Sequence, residues 1–335
     1  MIPESISLSV VVPVYNEGDN IAALHHEIVA VCEAGFAGAP IDYEIIIVND
    51  GSTDDTAQVC RSLHPLTYVE LAVNRGQTAA LDCGFRLAKG DYVAALDGDG
   101  QNDPADIPAL IRYLLENRLD AVSGWRKDRR DPFGKCLASR GAAMLRKAVL
   151  HDPIHDSGCT LKVYRKECLQ GMDLLGEQHR FIPAILTRRG FSVGEMPVHH
   201  RPRQKGKSKY GPGRIVRGFL DLLLEWYRSR YADRPMQLWG KCSLGCLILF
   251  LICAAVMVIR LFQPEGGAAE WGIPACLFLV AGGVFFGIGI LCETLSAMSF
   301  QNGRKAYRIV SCEVYDKDGR KTGAAGDTAE MGEER

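Results

Sequence analysis

The sequence predicts an α/β protein: a mostly parallel sheet with helices on both faces, then an amphipathic helix and two apolar helices. Three observations carry this expectation. Short apolar runs alternate with segments of helical spacing up to Val122, the pattern of a parallel sheet with crossover helices. The runs at 8–14, 43–48 and 92–96 each end in a polar loop rich in Asp, Asn, Glu and Gly. Late in the chain, residues 242–259 and 272–292 are stretches of 18 and 21 residues without a charge. A membrane span needs roughly 20 apolar residues.

The elements follow in order. An apolar strand at 8–14 ends at Pro13-Val14-Tyr15-Asn16-Glu17, and a helix at 20–33 repeats Ile21, Leu24, Ile28 and Val31. A buried strand at 43–48 ends at Asn49-Asp50-Gly51-Ser52-Thr53-Asp54 and leads into a second helix. A strand at 68–72, the loop Asn74-Arg75-Gly76-Gln77 and a helix at 78–88 come next. The strand at 92–96 ends in Asp97-Gly98-Asp99-Gly100-Gln101, followed by a helix at 107–116 and a short strand at 121–122. In sheets of this kind ligands sit beyond the carboxyl ends of the strands, where the loops of Glu17, Asp50 and Asp97 all fall.

Asp97 and Asp99 sit one residue apart at a strand end and can turn toward one point. Oxygen ligands of this type suit Mg²⁺ or Mn²⁺ held together with substrate phosphates. The same residues also suit a strand-to-helix turn, and Glu17 and Asp50 suit N-cap or turn positions. No GxGxxG follows the first strand, which disfavours a nicotinamide dehydrogenase. Gly206-Lys207-Ser208 lacks the first glycine of a P-loop, position 201 being Arg.

The net charge of −1 excludes a global field for nucleic acid, yet residues 201–241 hold eleven Lys/Arg against three Asp/Glu. From 214 to 228, Arg214, Arg217, Asp221, Glu225 and Arg228 form one polar stripe on an otherwise apolar helix, suited to a membrane interface or to a domain core. Arg228, Arg230, Arg234 and Lys241 precede the first apolar stretch, and Arg304, Lys305 and Arg308 follow the second. The connection Gln263 to Trp271 has two Glu and no Lys or Arg. The positive-inside rule then places both termini and the catalytic domain on the cytoplasmic side of the inner membrane, with the protein multi-pass. Leu8 opens a strand-like run almost at once, so no signal peptide is expected. None of the twelve cysteines forms a CxxC pair, and none is given a metal or redox role. The chain reads as a catalytic domain (1–212), interfacial helices (213–236), a transmembrane hairpin (237–298) and a C-terminal segment with a disordered tail (299–335). Residues 316–335 are charged and Gly-rich.

Val12-Pro13-Val14-Tyr15-Asn16-Glu17, Val48-Asn49-Asp50-Gly51-Ser52-Thr53-Asp54 and Asp97-Gly98-Asp99-Gly100-Gln101 resemble, in order and spacing, family 2 glycosyltransferases of the GT-A fold. The subgroup the chain looks most like is the polyprenyl-phosphate glycosyltransferases, relatives of dolichol-phosphate mannose synthase. The resemblance spans about residues 6 to 310 and implies an inverting transfer of one sugar from a UDP- or GDP-linked donor to undecaprenyl or dolichyl phosphate. It places Pro13, Tyr15 and Glu17 against base and ribose, and Asp50 and Ser52 at the base pocket. Asp99 and Gln101 would hold the metal with the diphosphate, with Asp97 beside them on ribose or metal. Arg126 and Arg140 would hold the acceptor phosphate, and Asp156 would position the acceptor or act as base. Arg203, Ser208 and Lys209, in the basic loop Arg201 to Tyr210, would close over the diphosphate. Membrane lipid is a further expected partner, and a homo-oligomer stays open.

The chain departs from the family pattern at Gln77, where many relatives have Lys, and at Gly100, where Leu is frequent. Two rival functions exist. One is saccharide extension, whose Gln-x-x-Arg-Trp signature is matched only by the misspaced Gln178-His179-Arg180-Phe181. The other is a non-catalytic membrane subunit that binds nucleotide sugars or lipids.

Overall fold

The computed structural model describes residues 5–36, 40–127, 154–202, 214–231, 234–263, 268–301, 309–316 and 321–324. Two compact units divide the chain, Met1–Asp221 with Lys305–Arg335 and Leu222–Arg304.

The first unit is built on a sheet of order β7-β5-β6-β4-β1-β2-β3-β8-β9. The strands β1 (Ile6–Val14), β2 (Ile41–Asn49), β3 (Leu66–Leu71) and β4 (Tyr92–Ala95) are those the sequence predicts, the first three longer and β4 one residue shorter. They pair in parallel, because α1 (Gly18–Ala34), α2 (Thr56–Cys60) and α3 (Gln77–Leu87) provide the crossovers that parallel pairing needs. Helices on both faces explain why the strands read as continuous apolar runs rather than alternating ones. Val10, Val11 and Val12 are fully buried, as are Ile46, Ile47 and Val48. From α1 the sheet receives Ile21, Leu24, Ile28 and Cys32, at the spacing of a single helical face.

β1 to β3 step to one side of the sheet and β4 lies on the other side of β1. The order therefore reverses between β1 and β4, and that reversal is where an open α/β sheet binds ligands. After α4 (Ile107–Glu116), β5 (Ala121–Trp125) extends the short strand expected at 121–122. Next in the chain, β6 (Lys162–Arg165) runs antiparallel to both β4 and β5, so β5 shares the direction of β4. Trp125 and Arg126 consequently end on the same sheet edge as Asp97. β7 (Val193–Pro197) then pairs parallel to β5.

The C-terminal segment adds β8 (Ile309–Tyr315), antiparallel to β3, and β9 (Lys321–Ala324), antiparallel to β8. This corrects the expectation of a disordered tail over 316–335 within 321–324. A short Lys-Thr-Gly-Ala strand has little apolar signal of its own and is held by pairing at the sheet edge.

The amphipathic helix α7 (Arg214–Tyr231) exposes Phe219, Leu220, Leu223 and Leu224; α5 (Lys166–Leu169) and α6 (Ile182–Arg188) precede it. The second unit contains α8 (Met236–Leu261) and α9 (Ala268–Gln301), with stretches of 26 and 28 residues long and apolar enough to cross a membrane. Their seam has a seven-residue step. Trp239, Cys246 and Cys253 line it on α8, facing Gly289, Gly282 and Ala275 on α9. Cys253 and Ala275 are buried. A Cβ on Gly282 would lie 3.3 Å from Cys246 Cβ, and one on Gly289 would lie 3.1 Å from Trp239 Cβ. Close approach through small residues is how helices associate in lipid, where apolar burial gives no driving force. The outer faces leave Leu251 57%, Ile273 70% and Leu277 65% exposed, an arrangement suited to lipid rather than water. Gly282→Leu is expected to force the helices apart and lower the thermal midpoint in detergent, at a cost of about 2 kcal/mol. Gly283→Leu is expected to be tolerated, because its Cβ position meets nothing within 4 Å.

Candidate active site

Three strand-end loops meet at the switch point and are stitched together by their own polar groups. The backbone N–H of Asp50 donates to the Val14 carbonyl at 2.8 Å. Asn16, at φ 52°, donates its backbone N–H to Ser52 Oγ at 2.9 Å and accepts from the Thr53 N–H at 2.8 Å. Glu17 donates its backbone N–H to Thr56 Oγ1 and accepts from the Asn20 side chain, 2.9 and 2.8 Å. Pro13 and Glu17 are buried and Tyr15 is half-buried. The expected base-pocket residues Pro13, Tyr15, Glu17, Asp50 and Ser52 are thus brought together, and Ser52 has a visible task in closing one loop on the other.

Asp50 is buried and accepts from the backbone N–H groups of Arg75 and Gly76 at 2.7 and 2.8 Å. Burial raises its carboxyl above the ordinary value against the pull of those two amides. It therefore fixes the loop that starts α3, and places Gln77 over the next strand end.

There the Gln77 side-chain amide donates to Asp97 Oδ1 at 2.5 Å. The Thr160 hydroxyl also bonds Asp97, and Asn102 donates to the same hydroxyl at 2.7 Å. Burial, and then the Asp99 carboxylate next door, push Asp97 up to about 6, while Thr160, Lys162 and Arg126 pull it down. Asp99 accepts the Gln101 backbone N–H at 3.1 Å, which turns the loop. A Cβ on Gly98 would lie 2.6 Å from Val14 Cγ1 and 3.3 Å from the Pro13 carbonyl, so the loop lies directly on the end of β1. Gly100 has φ +71°, a left-handed value that explains glycine where Leu is frequent among relatives. Gln101 exchanges bonds with Arg201, whose N–H donates to the Gln101 carbonyl at 2.9 Å. Arg201 also pairs with Glu27 and Asp103, both at 2.7 Å, which ties the start of the basic loop to the Asp97–Gln101 loop.

Arg126 and Asp156 form a bidentate pair at 2.7 and 2.9 Å, with side chains 11% and 14% exposed. Burial works against the guanidinium charge, and the carboxylate more than offsets it, holding Arg126 above its ordinary value. The Asp156 loop is itself held by Glu195 of β7, which accepts the backbone N–H groups of His155 and Asp156, each at 2.9 Å. His155 stacks on Trp125 at 5.1 Å. Arg140, Arg203, Ser208 and Lys209 lie outside the described residues.

Among the described residues no group of three or more His, Cys, Asp or Glu side chains could hold a metal by itself. Asp97, Asp99 and Gln101 offer oxygen donors at one strand end, few enough to leave positions for diphosphate oxygens. That donor set fits Mg²⁺ or Mn²⁺, which takes one or two carboxylates together with substrate phosphates.

The model of the family described as Glycosyl transferase family 2 matches residues 9–172. Over 323 residues the chain is 40% identical to dodecaprenyl-phosphate galacturonate synthase of Rhizobium johnstonii, covering 93% of this chain and 94% of the relative. The chain belongs to glycosyl transferase family 2. It is also 33% identical to undecaprenyl-phosphate 4-deoxy-4-formamido-L-arabinose transferase of Pseudomonas savastanoi pv. phaseolicola, over 87% of this chain and 86% of that one. Both relatives are polyprenyl-phosphate glycosyltransferases, the subgroup that the motifs resemble, and this family 2 chain is a glycosyltransferase. Its fold matches glucosyl-3-phosphoglycerate synthase from Mycobacterium tuberculosis, with TM-score 0.52 and 20% identity over 66% of this chain and 80% of that one. It also matches mannosyl-3-phosphoglycerate synthase from Rubrobacter xylanophilus, with TM-score 0.51 and 18% identity over 67% and 74%. These neighbours have the GT-A fold.

Sequence reasoning about this family 2 enzyme passed over Gln77, Thr160 and Glu195. Gln77 reads in the sequence only as a departure from the family pattern, and Thr160 and Glu195 carry no signal there. Lys162 had one: a charged residue opening the apolar strand Lys-Val-Tyr-Arg.

Proposed function

We propose that this family 2 enzyme transfers a single sugar from a nucleotide sugar to a polyprenyl phosphate, at the cytoplasmic face of a membrane crossed by α8 and α9. The observation that carries the reading is the 40% identity, across nearly the whole of both chains, to an enzyme named for a dodecaprenyl-phosphate product. Two apolar helices and the exposed apolar side chains of α7 support work on a lipid acceptor. In this reading 1–212 is the catalytic domain, 213–236 the interfacial segment and 237–298 the membrane hairpin.

Glu17, Asp50 and the half-buried Tyr15 form the base and ribose pocket, with Pro13 and Ser52 shaping it. Asp99 and Gln101 would hold Mg²⁺ or Mn²⁺ together with the donor diphosphate, with Asp97 beside them on ribose or metal. A cation held there would offset charge on the departing nucleoside diphosphate. Arg203, Ser208 and Lys209 close over that diphosphate, and Arg126 and Arg140 hold the acceptor phosphate. An acceptor phosphate oxygen attacks the anomeric carbon as the nucleoside diphosphate leaves in line, and one displacement inverts the configuration. The phosphate is already ionised at neutral pH, so no strong base is needed. Both Asp156 oxygens accept from Arg126, which suits Asp156 to positioning.

The test is a donor panel. Full-length protein in detergent with Mn²⁺ and undecaprenyl phosphate is offered labelled UDP- and GDP-sugars. One donor is expected to deliver label to the organic phase. Label in a water-soluble polymer, or donor binding without transfer, would contradict the proposal.

A further inference from the structure

Beneath Asp97 lies a small enclosed cavity lined by Gln77, Asp97, Thr160, Lys162, His179 and Ile182 among others. Lys162 is the unusual member. Its residue is 4% exposed, and its ammonium donates to the Cys159 carbonyl. An ammonium has three donors, and no other hydrogen bond or ion pair of Lys162 occurs among the described residues. Burying a charge without a close partner is expensive, so a lysine at this place in the sheet calls for an account.

The register supplies one. Lys162 faces Ala95 across the β4–β6 pair, and Asp97 lies two residues beyond Ala95. Asp97 thus follows the strand end diagonally beyond Lys162, and the two residues line the same cavity. On its other side Lys162 faces Ser123 of β5. Ala95 and Ser123 are small and leave room for the lysine stem, while Leu81, Phe85 and Tyr164 line the apolar part of the cavity. The ammonium thus lies within electrostatic reach of Asp97, which its neighbour Asp99 repels, and of Asp156.

We propose that Lys162 is a positioning residue of the donor site, whose buried ammonium offsets the charge of Asp97 across the cavity both residues line. Gln77 holds the same carboxylate from the α3 side with a neutral amide. The two grips are complementary: this chain has an amide at 77, and its cation comes from the adjacent strand. Without that cation the repulsion of Asp97 by Asp99 is offset only by the more distant Arg126 and by the bonds from Gln77 and Thr160. The inference rests on the family 2 donor-site reading, since it assigns Lys162 a task through Asp97.

The role makes opposite demands on stability and binding. Replacing a buried, poorly paired charge by an apolar side chain of similar length is often neutral or stabilising. The probes are UDP and GDP, each titrated with Mn²⁺ into the full-length protein in detergent by calorimetry. Wild type is expected to bind one of them. Lys162→Met is expected to bind that nucleotide at least tenfold more weakly with an unchanged or higher thermal midpoint. Gln77→Lys added to Lys162→Met returns an ammonium to Asp97 from the opposite wall, and is expected to recover most of the lost affinity. Unchanged binding in Lys162→Met would overturn the inference. So would a lowered midpoint with no recovery in the double variant, because that is the behaviour of a packing residue. A wild type that binds neither nucleotide would fail the donor-site reading itself, and the role of Lys162 with it.

Discussion

Asp99→Asn is expected to reduce transfer by on the order of 10³-fold, roughly 4 kcal/mol of transition-state stabilisation, with little change in thermal stability. Asp99 is half-buried and accepts the Gln101 backbone N–H. An Asn oxygen can accept that same bond, so the turn survives. What Asn lacks is the charge that binds a divalent cation at the diphosphate. The substitution therefore separates the turn reading of Asp97-Gly98-Asp99 from the chemical one. Full activity in Asp99→Asn with Mn²⁺ present would leave the loop as a turn and nothing more. Asp97 makes the less clean probe, because Gln77 and Thr160 both depend on it.

The second large effect is expected at the Arg126–Asp156 pair. Arg126→Met and Asp156→Asn are each expected to lower kcat/KM by about 10² to 10³-fold, and the double variant to fall no further than the worse single one. Residues that act as a unit behave in this non-additive way. The reason is geometric: both carboxylate oxygens accept from the guanidinium, and the two side chains are nearly buried. Removing either partner leaves the other charge without its mate, which is strongly destabilising for a buried pair. Thermal midpoints of all three variants therefore accompany the kinetics. Additive losses would separate the two residues and return Asp156 to the role of an independent base.

The parts of this molecule legible in the sequence are those written locally. β1, β2 and β4 are runs of Val, Ile, Leu and Ala buried on both faces, and their polar ends mark the site because parallel strands deliver their carboxyl ends to one edge. The α8–α9 hairpin shows in bare composition. Pairings between distant residues do not show. Arg126 and Asp156 were each singled out alone, and nothing in the sequence joins residues thirty positions apart. The four-residue strand β6 is too short for periodicity to decide, so its antiparallel entry between β4 and β5 was hidden, and with it the approach of Thr160 and Lys162 to Asp97. β9 was missed for a related reason: Lys321–Ala324 is a strand because β8 is beside it, a tertiary cause with no local signature. Gln77 is a different case. Read as the loss of a cation, it proves in the structure to donate a hydrogen bond to Asp97.

The most direct measurement is the mass of the lipid product. After incubation of the full-length protein with Mn²⁺, undecaprenyl phosphate and the donor selected from the panel, the organic extract is examined by mass spectrometry. The account requires a species equal to undecaprenyl phosphate plus one glycosyl residue, absent from the Asp99→Asn reaction. An extract holding only unchanged undecaprenyl phosphate, while the donor is consumed into a water-soluble saccharide, would contradict it.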